Sequence, residues 1–104
     1  MNPPLNPTPN PTDAASVLAQ LRAEIDQLDT HILALLNQRA CIAEKIGDAK
    51  SAAGLPVVEL GREKAVVDGM VARNQGPLEN EAVGRIYQAI MLEMRRIQEQ
   101  RRRS

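Results

Sequence analysis

The stretch LAQLRAEIDQLDTHILALLNQRACIAEKIGDAK, Leu18–Lys50, decides the fold. Its apolar residues Leu18, Leu21, Ile25, Leu28, Ile32 and Leu35 fall three and four apart, and the same steps resume at Ile42, Ile46 and Ala49. Steps of three and four return to one face of an α-helix. Position 39, where the next apolar knob of that stripe belongs, holds an arginine. A permanent charge at a core position destabilises a fold unless something pairs with it, so Arg39 needs a reason beyond packing.

Working outward, no Pro or Gly interrupts the chain between Asp13 and Ile46. Thr12 or Asp13 can cap the helix, because their side-chain oxygens accept from the first free backbone amides. A helix of about 37 residues spans roughly 55 Å at 1.5 Å per residue, longer than a domain of this size is wide. Such a stripe needs a second chain to cover it, and a homodimer that pairs the long helix with its counterpart is expected. SAAGLPVV (51–58) breaks the pattern. There Gly54 supplies a chain reversal and Pro56 forces Leu55 out of helical geometry. A shorter second helix is expected from near Glu59, turning Leu60, Val66, Val67, Met70 and Val71 inward, until NQGP (74–77) ends it. The third, from about Glu79 to Arg101, repeats the rhythm through Val83, Tyr87, Ile90, Met94 and Ile97. The expected fold class is all-α, a three-helix chain of long, short and long helices.

Composition agrees. The chain has 104 residues, 43% of them hydrophobic, with no Phe or Trp and one Tyr, so its core must be built from aliphatic residues and Met, which pack well between helices. Residues 1–12 hold five of the seven prolines and are expected to be a disordered tail, leaving 13–104 as the helical domain. Thirteen basic residues balance thirteen acidic ones, which argues against nucleic acid or an anionic membrane as partner. Arg101, Arg102 and Arg103 read as a solvated helix end. With no apolar run of about 18 residues and no charged-then-apolar leader, neither a membrane span nor secretion is expected, and the cytoplasm is the expected location. Cys41 is the one cysteine and is expected to be a small buried residue. His31 receives no role.

The charges can now be placed. At about 100° per residue, Lys50 lies within about 20° of Arg39 on the same helix face, three turns and about 16 Å further along. That spacing admits a small molecule between two cationic side chains. Arg22 lies about 100° around the helix from Arg39, so it can join such a pocket only from a neighbouring chain. Gln98 follows Met91 and Met94 by seven and four residues, which places its amide on or beside the apolar stripe of the third helix. Arg62 and Glu63 open the second helix, where Glu63 suits the helix dipole and can accept from a hydroxyl. Each residue alone has a plainer reading: Arg39 as a register-fixing charge, Lys50 as a complement to the helix C-terminus, Gln98 as a surface residue and Glu63 as a capping carboxylate. Together, Arg22, Arg39, Lys50 and Arg62 supply cations with no matching buried acid in the same ladder, and a small molecule carrying two carboxylates would satisfy them.

These residues, in the frames LRAEIDQLDTHILALLNQRACIAEKIGDAK, GLPVVELGREKAVV and NQGPL with AVGRIYQAIMLEMRRIQ, closely resemble the all-helical chorismate mutases over roughly residues 17–100. The resemblance implies an intertwined three-helix homodimer that converts chorismate to prephenate, on the way to phenylalanine and tyrosine, with no metal and no cofactor. It implies that Arg39 binds one substrate carboxylate from its own chain and Arg22 the other from the partner. Lys50 and Gln98 would donate to the ether oxygen whose bond breaks. Glu63 would hold the ring hydroxyl with help from the backbone near Glu59, and Arg62 would lend a supporting contact. Met94 stands where many relatives carry a small polar residue near a substrate carboxylate. Glu59 occupies a variable position often filled by Asp. Gln98 replaces the Glu of some relatives, and a neutral donor needs no acid to be active.

Two other functions are compatible with the same residues. An isochorismate pyruvate lyase uses the same scaffold and a similar cationic pocket. A non-catalytic dimerisation or regulatory module would need only the heptads and charges. A third expectation concerns extent: the chain can be a fragment of a fusion whose other domain performs the adjacent pathway step.

Overall fold

The computed structural model describes residues 13–103; the proline-rich segment 1–12, read as a disordered tail, lies outside them. Three helices follow one another: α1 (Ala14–Ala52), α2 (Leu60–Arg73) and α3 (Asn80–Arg103). No strand occurs among the described residues. The chain divides into two compact units with the boundary between Asn37 and Gln38, inside α1.

In the first unit Asp13 starts the helix. Its Oδ1 accepts from the Ala15 amide at 3.0 Å and its Oδ2 from the Ser16 hydroxyl at 3.2 Å, which occupies a donor the first turn otherwise leaves unpaired. The apolar stripe Leu18, Leu21, Ile25, Leu28, Ile32 and Leu35 is 46–62% exposed. A contiguous row of large aliphatic side chains in water marks an interaction surface.

The second unit holds the end of α1, α2, α3 and their connections. Gly54, at φ +70°, ends α1 in the left-handed conformation that glycine adopts without a Cβ penalty. The Leu55 amide reaches back to the Lys50 carbonyl at 2.8 Å and the Gly54 amide to Ser51 at 3.2 Å, the paired bonds of a Schellman reversal. The chain then doubles back, and Val57 is buried. Asn74 organises the second connection: its side-chain amide donates to the Leu78 carbonyl at 2.7 Å and to Asn80 Oδ1 at 2.9 Å, while its Oδ1 accepts from the Gly76 amide at 3.1 Å.

Ala43, Val57, Val83, Met91 and Met94 form the buried apolar core. Val66, Val67, Met70 and Val71 of α2, and Tyr87, Ile90 and Ile97 of α3, are half-buried as the periodicity predicts. Helix α3 crosses α1 at Gly47, where a Cβ would stand 3.1 Å from the Gln98 Cα, tighter than a Cβ normally packs. Beyond it, Arg101 makes a two-bond clamp on Asp48 (2.7 and 3.2 Å), and Arg102 donates to the Leu55 carbonyl at 2.6 Å.

Two expectations are corrected. Leu60, expected to face inward, is 68% exposed, because it is the first residue of α2 and edges an open groove with Val67, Met91 and Leu92. Cys41, expected to be buried, is exposed. It lies two residues before buried Ala43, which turns it about 200° away from the packed face.

Candidate active site

Three helix ends and one reversal converge on Lys50. The α1 stripe brings its side chain to the inner face near the helix C-terminus, and the Schellman reversal returns the chain over it. Lys50 is 8% exposed; its ammonium donates to the Val57 carbonyl at 2.8 Å and to Gln98 Oε1 at 2.7 Å, and pairs with Glu59 Oε1 at 2.9 Å. An ammonium has three protons and no acceptor; two hydrogen bonds and one ion pair hold it in place.

Gln98, itself buried, approaches from α3 over Gly47. Because Lys50 can only donate, the amide must turn its oxygen toward the ammonium, and its NH2 is left as the donor aimed elsewhere. The amide orientation is therefore set by its neighbour.

A cavity of about 120 Å³ opens beside this pair, lined by Arg39, Lys50, Glu59, Arg62, Glu63, Met94 and Gln98 among polar and apolar neighbours. Seven of the eight residues singled out in the sequence thus share one hollow. The eighth, Arg22, is exposed on α1 in the first unit and is not a lining residue. Met94 is buried and supplies an apolar wall where a polar contact was in question.

The acid that pairs with Lys50 comes from outside its helix ladder. Glu59 supplies it from the loop before α2, which no reading of one helix ladder would include. Glu59 is 49% exposed, so water competes for it and the pair is readily opened.

Arg95 is the residue that the sequence reading missed. It lines the cavity and forms a fork on Glu63, Nη2 to Oε1 at 2.6 Å and Nε to Oε2 at 3.2 Å. These hydrogen bonds, with the carboxylate charge behind them, raise the Arg95 pKa above the ordinary arginine value. Its position three residues before Gln98, on a neighbouring part of the same helix face, was the available signal. With Arg95 included, the cavity carries four cations and two carboxylates, a surplus of two positive charges. No cluster of His, Cys, Asp and Glu fit to hold a metal ion occurs among the described residues, and none of their helices is long and apolar enough to cross a membrane.

Comparison with known proteins gives a consistent picture. Residues 21–99 match the family model described as chorismate mutase type II. The bifunctional chorismate mutase/prephenate dehydratase of Aquifex aeolicus is 40% identical over 78 residues, covering 71% of this chain and 22% of that protein. The chorismate mutase of Methanocaldococcus jannaschii is 35% identical over 51 residues, 49% of this chain and 52% of that one. The chain spans about a fifth of the length of the bifunctional relatives it matches. Among solved structures, the form II chorismate mutase of Thermus thermophilus superposes with a TM-score of 0.78 at 28% identity, covering 79% of this chain and 93% of that one. On the family match, the all-helical architecture and the structural likeness together, the chain belongs to the chorismate mutase type II family.

Proposed function

We propose that this chain is a chorismate mutase, rearranging chorismate to prephenate in phenylalanine and tyrosine biosynthesis. The observation that carries the reading is the Lys50–Gln98 pair, buried in a cavity with Arg39, Arg62 and Glu63. A surplus of two positive charges complements a substrate with two carboxylates.

A Claisen rearrangement is unimolecular and pericyclic. It needs no nucleophile, cofactor or obligatory proton transfer, and the protein's task is to select the reactive conformer and stabilise the negative charge that grows on the ether oxygen. Arg39 binds one carboxylate. The Gln98 NH2 points to the ether oxygen as one donor; Lys50 becomes the second when Glu59 releases it. Glu63 accepts from the ring hydroxyl, with the backbone near Glu59 assisting, and Arg62 lends a supporting contact. An acceleration at the lower end of the enzymatic range corresponds to about 8 kcal/mol. The Gln98 donor and the Lys50 donor freed from Glu59, at up to roughly 3 kcal/mol each, account for it with conformer selection.

The second carboxylate is bound by Arg22 of a partner in a homodimer. Support comes from the exposed stripe Leu18–Leu35, which a second copy would cover, and from the exposure of Arg22 on the same helix. As a biosynthetic enzyme without a membrane-spanning helix among its described residues, the protein is assigned to the cytoplasm.

The test is a spectrophotometric assay of chorismate loss with the product identified. Prephenate supports the reading. Inertness toward chorismate, with release of pyruvate from isochorismate, would replace it with the lyase; inertness toward both would leave a dimerisation module.

A further inference from the structure

Glu63 is held before any substrate arrives. Both its oxygens accept from Arg95, and two parallel bonds to a guanidinium fix the plane of a carboxylate as well as its position. The fork ties the first turn of α2 to α3, 32 residues further along the chain. Both side chains are mostly buried, at 28% and 22% exposure, so this pair is unlike the solvent-exposed Lys64–Asp68 and Arg96–Glu93 pairs. Both line the cavity beside Lys50, and both line the separate groove of about 500 Å³ between α2 and α3, so the pair stands as the partition between two hollows. A carboxylate has about four acceptor positions. Arg95 uses two, which leaves Glu63 able to accept a further bond.

We infer that Arg95 is a positioning residue, which holds the Glu63 carboxylate in the one orientation that accepts the substrate's ring hydroxyl and acts on the reaction only through Glu63. The inference rests on the mutase reading above. Arg95 and Arg96 are adjacent arginines, and only Arg95 reaches the acid: Arg96 turns to Glu93 on its own helix.

The experiment is steady-state kinetics with chorismate on the full chain and on Arg95→Leu, Arg95→Lys, Glu63→Gln and the Arg95→Leu/Glu63→Gln double variant, with helical circular dichroism as the check on folding. A hydroxyl contact made equally in ground and transition states appears in KM. Arg95→Leu and Glu63→Gln are each expected to raise KM about tenfold with kcat within about threefold. In the double variant KM is expected within about twofold of Glu63→Gln alone, since the two residues act as a unit. Arg95→Lys, which keeps the charge and loses the fork, is expected to fall between wild type and Arg95→Leu. An Arg95→Leu protein with unchanged KM overturns the inference, and so does one whose defect multiplies fully with that of Glu63→Gln. If Arg95→Leu does not fold, Arg95→Lys carries the comparison: a KM rise with Glu63 present and none with Glu63→Gln supports the inference, and equal rises overturn it. A wild-type protein inert toward chorismate removes the mutase reading and this inference with it. Normal wild-type turnover with a Glu63→Gln KM unchanged overturns the inference alone.

Discussion

Lys50 and Gln98 meet across 48 residues of sequence through a 2.7 Å bond from Nζ to Oε1. That bond makes each residue the orienting partner of the other: the ammonium turns the amide so that its NH2 is free to donate, and the amide oxygen fixes the ammonium. Its third partner is Glu59, which is half in water and is the one most easily displaced.

Removing that competitor makes the first prediction. Glu59→Ala is expected to lower KM for chorismate by about two- to fivefold at low ionic strength, the range of an exposed ion pair, with kcat little changed. Titrating salt checks the cause, because the advantage should shrink as screening grows. A KM that rises severalfold would mean that the Glu59 side chain is itself a substrate ligand.

A second prediction concerns the crossing of α1 and α3. Gly47→Ala places a methyl group 3.1 Å from the Gln98 Cα, so the two helices must part by a few tenths of an ångström. The expected loss is about 1–3 kcal/mol of stability, read as a lower melting temperature, together with a fall in kcat as Gln98 is displaced. Gly69→Ala is the control: nothing lies within 4 Å of its Cβ, and a mid-helix alanine is expected to stabilise α2 by up to about 1 kcal/mol.

How much of this was open to sequence reading depends on which distances helical periodicity encodes. Arg39 and Lys50 share a face because eleven residues are nearly three turns, and Gln98 follows Met91 and Met94 on the same stripe for the same reason. The three elements and their order were legible from the ladder, Gly54, Pro56 and the NQGP turn. The Lys50–Glu59 pair was not, since their nine-residue separation is bridged by a reversal whose path depends on the left-handed Gly54 and the bonds around it. Arg95 was hidden for another reason: beside Arg96 it looks like one of two solvated arginines, and only the packing of α2 selects it. Cys41 was misread because small size was taken for burial, when its angle from Ala43 turns it outward.

The clamp of Arg101 on Asp48 gives a third prediction, with a definite sign. Hydrogen bonding to Arg101 lowers the Asp48 pKa below its ordinary 3.8. A carboxylate whose folded pKa is depressed adds stability that is present above the unfolded value and lost as pH falls through the folded one. Asp48→Asn is therefore expected to reduce the melting temperature at pH 7, by a margin that shrinks as the pH falls below 3.8 through the folded value. A difference that persists undiminished in strong acid would show that the aspartate acts by packing and not by charge.

The most direct measurement addresses the claim that each site draws cations from two subunits. Arg22→Ala and Arg39→Ala chains are each expected to dimerise, fold and lose nearly all turnover of chorismate. When the two are unfolded together and refolded as a mixture, half the dimers are mixed, and each mixed dimer holds one site with both arginines intact. The account predicts recovery of about one quarter of wild-type turnover in that mixture, the random-pairing fraction for a symmetric dimer. A mixture no more active than its parents, or an Arg22→Ala protein of full activity, would contradict it.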